Sequence, residues 1–354
     1  MLVNGKNFQS IWRDKTSGEI RIIDQRWLPH KFSIVGLTSS TEAMIAIRDM
    51  WVRGAPLIGV TASYGMAIAM AEDASDENLI SAGKLLNSAR PTAVNLGWAV
   101  TRMQERLKKI SPVTRAEAAL ELADFMAEED IEINRRIGKH GAKIIDDIFR
   151  QKSDGSPVRI LTHCNAGWLA TVDRGTATAP IYEASERKIP IEVWVDETRP
   201  RNQGAALTTW ELIHNQIPHT LIVDNAGGHL MQHGLVDLCI VGSDRTTGTG
   251  DVCNKIGTYL KALAAKDNGV PFYVALPSST IDDTISNGLD SIPIEYRDED
   301  EITHIQGRDE NGQLIKVQLC PDNIKTANPA FDVTPRHLIT GLITEDGCRN
   351  TSND

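Results

Sequence analysis

Cysteine is scarce in this 354-residue chain: there are five, an odd number, with no CxxC pair and no zinc-type spacing. They are expected to be reduced thiols in a cytosolic protein rather than a disulfide framework, and no metal is expected. An excess of positive charge is also missing. Lysine and arginine total 37 against 47 aspartates and glutamates, a formal net charge of -10, which argues against a nucleic-acid partner. No uninterrupted apolar run reaches membrane length, and Met1 to Ile20 has neither a basic start nor a continuous apolar core. A soluble, cytoplasmic protein with no membrane partner is expected. The GxxxxGK phosphate loop is absent, and no GxGxxG opens a helix after the first strand, so nucleotide binding is poorly supported and no cofactor is expected. There is no internal repeat and no low-complexity tract.

What is present suits two domains, since 354 residues exceed one ordinary core. The first forty residues read as a short β-rich segment, with a strand over Ile20 to Ile23 and a turn over Asp24 to Pro29. Helical spacing then takes over. Ser40 or Thr41 caps a helix with Met44, Ile47 and Trp51 on one stripe. Arg53-Gly54-Ala55 interrupts it, and Pro56 opens a second helix, to about Glu72, whose small side chains favour burial. Ser75 precedes a third helix, Arg90-Pro91-Thr92 breaks the pattern, and a fourth runs from about Ala93 to Lys109. The charged stretch from Thr114 to about Phe149 is predicted to form two helices with a break near Gly138 or Gly141, linking the domains. The boundary is placed at 137/138, a smaller, mostly helical N-terminal domain preceding a C-terminal one.

After the solvated turn Gln151 to Pro157 the pattern becomes strand, turn, helix. Apolar β-branched runs at Val158 to Leu161, Ile191 to Val195, Leu221 to Val223, Val236 to Val241 and Phe272 to Leu276 alternate with helical segments, which predicts an α/β, doubly wound parallel sheet. Strand-and-loop structure is expected between Ile281 and Val317, with strands near Ile294 to Arg297 and Ile315 to Leu319, and a final helix after Thr334-Pro335. Open α/β sheets bind ligands beyond the carboxyl ends of their strands. The residues there, Cys164, Asp196-Glu197, Asp224-Asn225, Asp244 and Ser278-Ser279, should therefore gather on one edge.

Two of these carry potential acid/base chemistry. Cys164 sits in Thr-His-Cys-Asn-Ala-Gly at an expected helix start, where helix-terminal amides or a nearby cation would lower its pKa; the bland reading is a core cysteine, as for Cys239 inside its strand. Asp244 either caps the turn after its strand or serves as a general acid kept protonated by partial burial, with Arg245 opposing that if it points inward. The runs Thr247-Gly248-Thr249-Gly250 and Asn254-Lys255-Ile256-Gly257 offer amides and an ammonium to an anion, with Arg53 and Arg90 as further phosphate candidates or, singly, surface charges. The polar turn Asp196 to Gly204, with Arg199, Arg201 and Gln203, suits sugar hydroxyls or simply starts a helix. His163 and His229 show no partner at an informative spacing and read as packed or hydrogen-bonding histidines.

Together, VRGAPLIGVTASYGMA, ARPTAVNLGWA, INRRIGKHG, LTHCNAG, VDETRPRNQGA, DNAGGHLM, GSDRTTGTGDVCNKIGT and NPAFDVTP resemble the methylthioribose-1-phosphate isomerases, in the superfamily of the regulatory subunits of translation initiation factor 2B. The resemblance covers nearly the whole chain. It implies a Rossmann-like C-terminal domain, a homodimer, and a sugar phosphate as the small-molecule substrate. It carries the catalytic pair onto Cys164 and Asp244, and substrate contacts onto Arg53, Gly54, Ala55, Arg90, Gln203, Asn254 and Lys255. GSDR stands where GADR is usual, Thr246 to Gly250 replaces a stretch richer in alanine and asparagine, and Trp168 stands where a small residue is common and is expected to reshape the pocket for the sugar's 5-substituent. The implied reaction converts 5-methylthioribose 1-phosphate to its ketose, with 5-deoxyribose 1-phosphate a related substrate. A regulatory subunit and a ribose 1,5-bisphosphate isomerase are the competing readings; the pair plus the RGA, RNQG and NK motifs favours the enzyme, and no extra basic cluster awaits a second phosphate.

Overall fold

A computed structural model describes residues 1–351. A short hairpin (β1, Leu2–Val3; β2, Lys6–Asn7) leads to a three-stranded antiparallel sheet of β3 (Ile11–Arg13), β4 (Ile20–Ile23) and β5 (Ile34–Leu37). The helices α1 (Ser40–Arg48), α2 (Ala55–Glu72), α3 (Asp76–Asn87), α4 (Val94–Leu107) and α5 (Pro112–Gln151) follow. Ser39 caps α1 by accepting from Glu42 N, and Ser75 caps α3 by accepting from Asn78 N. α2 is buried nearly all round, as its glycines, alanines and serines predict, and packs against α4 and α5 in one apolar cluster that runs from Ile11 to Val172.

The expected break in the long charged stretch does not occur: α5 is one helix of 40 residues. Each interior glycine costs about 1 kcal/mol relative to alanine, but here the glycines serve packing. A Cβ on Gly138 would lie 3.0 Å from the Ala179 carbonyl oxygen, and one on Gly141 2.3 Å from Pro180 Cγ, so both let the start of α6 (Ala179–Glu186) sit against α5.

The second half contains the strands β6 (Val158–Thr162), β7 (Ile191–Asp196), β8 (His219–Ile222), β9 (Leu238–Val241), β10 (Arg245–Thr247), β11 (Val252–Lys255), β12 (Phe272–Ala275), β13 (Ile281–Asp282), β14 (His304–Arg308), β15 (Leu314–Gln318), β16 (Phe331–Thr334), β17 (Gly341–Thr344) and β18 (Gly347–Asn350). Seven form the main sheet in the order β18-β17-β12-β9-β6-β7-β8, parallel except for β18. Helices cover both faces. Ile160 and Ile240 face α5 and α6 in one cluster, whereas Leu161, Cys239 and Val241 face α8 (Ala226–Gln232) and α9 (Thr258–Asp267) in another. The α/β doubly wound expectation therefore holds.

Two expectations at the end of the chain are corrected. After Thr334-Pro335 there is a single turn, Arg336–Leu338, and then the β17–β18 hairpin, because Leu342 and Ile343 complete the sheet beside Val274 and Ala275. Ile294 to Arg297 makes only the isolated bridge Tyr296 to Pro329, while β15 falls where a strand was expected. A smaller sheet, β13-β10-β11-β16, stands beyond the ends of the main strands.

Candidate active site

The chain starts its main sheet at β6, winds outward through β7 and β8, then returns to the other side of β6 with β9. That reversal puts a crevice beyond the carboxyl ends of β6 and β9, where open α/β sheets hold their ligands. Cys164 follows β6 and Asp244 follows β9, and both line the same cavity of about 50 Å³. Of the other strand ends, Asp196 and Ser278 are not in its lining.

Backbone contacts fix the two residues. Cys164 has φ of 67°, a conformation that costs a residue with a side chain about 1–3 kcal/mol. It is held there by its amide donating to Thr198 Oγ1 at 2.8 Å and its carbonyl accepting from Thr208 Oγ1 at 2.7 Å. Its thiol donates to Gln203 Oε1 at 3.2 Å. No helix begins at Cys164; a single turn at Trp168–Ala170 follows, and α6 starts only at Ala179. The expected lowering of the thiol pKa is accordingly overturned: burial pushes it up, against the opposing pull of Arg53 and Lys255. Asp244 donates its amide to the Cys253 carbonyl at 3.0 Å, which anchors the root of the β10–β11 hairpin. Burial pushes its carboxyl up as well, against Lys255, Arg90 and Arg53. Arg245 turns away, its Nε donating to Asp282 Oδ2 at 3.0 Å.

The cationic wall comes from four places. Arg53, 7% exposed, donates through Nη1 and Nη2 to the side-chain and main-chain oxygens of Asn165, each at 2.5 Å. Lys255 lies on fully buried β11 with Nζ 4.9 Å from the centre of the Phe331 ring, and burial pulls its ammonium pKa down. Arg90 and Arg297 complete the wall, both donating to Glu295, at 2.9 and 2.7 Å. Ala55 begins α2 and lines the cavity, while Gly54 has φ of 97° and would set a Cβ 2.5 Å from Ala170 Cβ, so only glycine passes there. Asn254 is also in the lining, its Nδ2 donating to Thr258 Oγ1 at 3.0 Å. Every residue singled out from the sequence as a site candidate by resemblance thus borders this one cavity.

Other expectations fall outside it. Trp168 is fully buried against Trp210, with ring centres 6.0 Å apart, and does not reach the cavity, so it does not reshape it. Arg201 lines an adjoining outer cavity and pairs with Glu301 at 2.7 Å, while Arg199 donates to the Ile302 carbonyl at 2.8 Å. His163 is a hydrogen-bonding histidine, with Nδ1 2.9 Å from Asp196 Oδ2 and Nε2 2.8 Å from the Ile256 carbonyl, and His229 packs against His233 with the rings tilted by 45°. His163, Asp196 and Asp224 are the one trio among the described residues close enough to share a metal ion. Lys261 already supplies positive charge there, 3.3 Å from Asp196 Oδ2, and both Asp224 carboxyl oxygens accept backbone amides.

Residues that sequence reasoning missed include Met50, Asn165, Arg297 and Phe331. Asn165 and Phe331 were inside the motifs THCNAG and NPAFDVTP; Arg297 comes from the irregular acidic stretch and carried no signal.

The chain belongs to the initiation factor 2 subunit family, whose model matches residues 51–351. Solved structures agree. The chain superposes on the translation initiation factor eIF-2B subunit delta of A. fulgidus with a TM-score of 0.79 at 39% identity, covering 97% of this chain and 96% of that one. It superposes on the 5-methylthioribose 1-phosphate isomerase of Pyrococcus horikoshii OT3 with a TM-score of 0.82 at 36% identity, covering 97% and 92%. Within the family it belongs with the methylthioribose-1-phosphate isomerases: it is 60% identical to that of Sinorhizobium medicae over 352 residues, 99% of this chain and 97% of the relative. With that of Escherichia coli O45:K1 it shares 58% over 347 residues, 98% and 93%.

Proposed function

We propose that this protein is an aldose-ketose isomerase that converts 5-methylthioribose 1-phosphate to 5-methylthioribulose 1-phosphate, in methionine salvage, and accepts 5-deoxyribose 1-phosphate. The observation that carries the reading is a half-buried acid and a buried thiol lining one cavity whose other wall is cationic. The anomeric oxygen of such a substrate is blocked by phosphate, so the ring opens only if its oxygen is protonated. Asp244, whose carboxyl pKa is pushed up by desolvation, donates that proton in its protonated form. Cys164, as thiolate, takes the proton from carbon 2, which leaves an enol at carbons 1 and 2. The thiol then protonates carbon 1, and the carbon 2 hydroxyl returns its proton to Asp244, restoring both groups and giving the ketone. Arg53, Lys255 and Arg90 hold the phosphate, assisted by Gly54, Ala55, Gln203 and Asn254.

A second route has a specific observation in its favour. Burial works against the Cys164 thiolate, so less of the form that could take a proton from carbon is present. A hydride shift from carbon 2 to carbon 1 would let the pair move only oxygen-bound protons. Incubating the purified protein with 5-methylthioribose 1-phosphate in deuterium oxide tests both levels by NMR. Ketose is the expected product, and no turnover of either sugar would overturn the assignment. Deuterium at carbon 1 would exclude the hydride route.

The proposal extends to assembly and place. The protein acts as a homodimer in the cytoplasm; no described helix is long and apolar enough to cross a membrane. Its helical and Rossmann-like domains divide at 137/138, with α5 shared between them.

A further inference from the structure

Glu211 is a wholly buried carboxylate that the reaction above does not use. It lies on α7 (Thr209–His214), behind the loop that follows Cys164, and it accepts four hydrogen bonds. Oε1 takes Asn165 Nδ2 at 2.9 Å and the Leu169 amide at 3.0 Å; Oε2 takes the Trp168 amide at 3.0 Å and the Tyr182 hydroxyl at 2.8 Å. The loop is built around it. A Cβ on Gly167 would fall 1.9 Å from Oε2, so the backbone passes directly over the carboxylate.

Asn165 joins this carboxylate to the site. Its amide nitrogen donates to Glu211 while its amide oxygen accepts from Arg53 Nη1, and its main-chain carbonyl accepts from Nη2. A guanidinium has five N–H donors; Asn165 takes two, which leaves three for the cavity. The contrast with Arg90 and Arg297 is chemical: both of those give donors directly to a carboxylate, Glu295. A carboxylate in direct contact with Arg53 would weaken its pull on an incoming phosphate, as Glu295 weakens that of Arg90. An amide in between fixes the guanidinium and passes on the orienting pull of the negative charge without putting that charge beside the ligand.

We infer that Glu211 is a positioning residue for phosphate recognition, acting through Asn165 to aim Arg53. This rests on the isomerase reading only for the identity of the phosphate ester; the relay itself requires only that Arg53 bind phosphate. Two measurements separate the two. Binding of inorganic phosphate is followed by calorimetry, and kcat and KM are measured with 5-methylthioribose 1-phosphate, each for wild type, Glu211→Gln, Asn165→Ala and Tyr182→Phe.

Glu211→Gln removes the charge at constant shape and is expected to raise both KM and the phosphate Kd about tenfold or more, the scale of a lost charge-assisted hydrogen bond, while kcat changes less. Asn165→Ala cuts the relay but leaves Glu211 three of its four donors, and is expected to do the same. Tyr182→Phe removes a donor from Glu211 outside the relay and is expected to leave KM and Kd within about twofold. A residue that only packs the loop would lower the active fraction, and so kcat, without moving KM or Kd. Wild-type KM and Kd in whichever of the first two variants folds would overturn the relay, as would a loss in Tyr182→Phe as large as theirs. Phosphate binding that follows this pattern in a protein that turns over neither sugar would leave the relay standing and remove the isomerase.

Discussion

Two clusters of charge lie at the carboxyl end of the main sheet, one on either side of His163 and Cys164. In the first, Lys261, His163, Asp196 and Asp224 are tied to one another and to the backbone: the ammonium meets Asp196 at 3.3 Å and the Asp224 carbonyl at 2.6 Å, His163 Nδ1 lies 2.9 Å from Asp196, and Asp224 meets two backbone amides. In the second, Lys255 leans on an aromatic ring and Arg53 on an amide, with no carboxylate in ion-pair contact with either among the described residues. Both are buried, so burial alone does not mark a site. The difference is whether the cations arrive already paired. A cluster whose charges are paired with one another supports the fold; one that keeps donors in reserve in a crevice suits an anion.

Removing the proposed reacting groups beside the second cluster should have the largest effect. Cys164→Ser and Asp244→Asn are expected to lower kcat by about 10³-fold or more while the protein stays folded, measured by steady-state turnover and circular dichroism. Next, the two buried lysines should fail in opposite ways. Lys255→Met is expected to raise KM about 10- to 100-fold with little change in thermal stability, since a costly buried ammonium is removed along with its ligand. Lys261→Met strips the ammonium paired with buried Asp196 and is expected to cost about 3–5 kcal/mol of stability in denaturant titration, with KM little changed in the folded fraction. If both lysines affected KM alike, the comparison would fail.

A smaller effect concerns the thiol. Because burial raises Cys164, its alkylation by iodoacetamide should gain rate at higher pH than that of a free cysteine, and binding of phosphate, by engaging Arg53 and Lys255, should shift it further up. The smallest effect lies outside both clusters. Asp130 on α5 accepts the Val172 amide at 2.7 Å, and burial raises its carboxyl pKa to about 7. Its contribution to stability is then fully present below the unfolded value of 3.8 and is lost as pH rises through about 7. Asp130→Asn, which keeps an acceptor for Val172, should therefore match wild type in melting temperature at low pH and exceed it by a few degrees at pH ~8.

The sheet was legible because its signal is local: β-branched runs such as Val158 to Leu161 announce strands, and the residue at which each run stops announces the sheet edge. Cys164 and Asp244 could be read for the same reason. What local pattern hides is direction and distance. Gly138 and Gly141 looked like helix breaks, yet they are where α6 leans on α5, a contact made by residues some forty positions away. Trp168 looked like a pocket wall but turns into the core against Trp210. The sign of the Cys164 shift depends on how deeply the crevice is closed by α2 and β16, which no spacing within THCNAG encodes. Glu211, between Trp210 and Leu212, had one usable signal: an acid flanked by apolar residues has to find partners inside.

The most direct test is a crystal structure of Asp244→Asn, slow enough to hold substrate, with 5-methylthioribose 1-phosphate bound. Phosphate is expected on Arg53 and Lys255, the ring oxygen against the amide at position 244, and carbon 2 facing Cys164 Sγ. Phosphate seated instead in the outer cavity beside Arg26 and Arg201, or a ring turned so that Cys164 faces carbon 4, would contradict that placement.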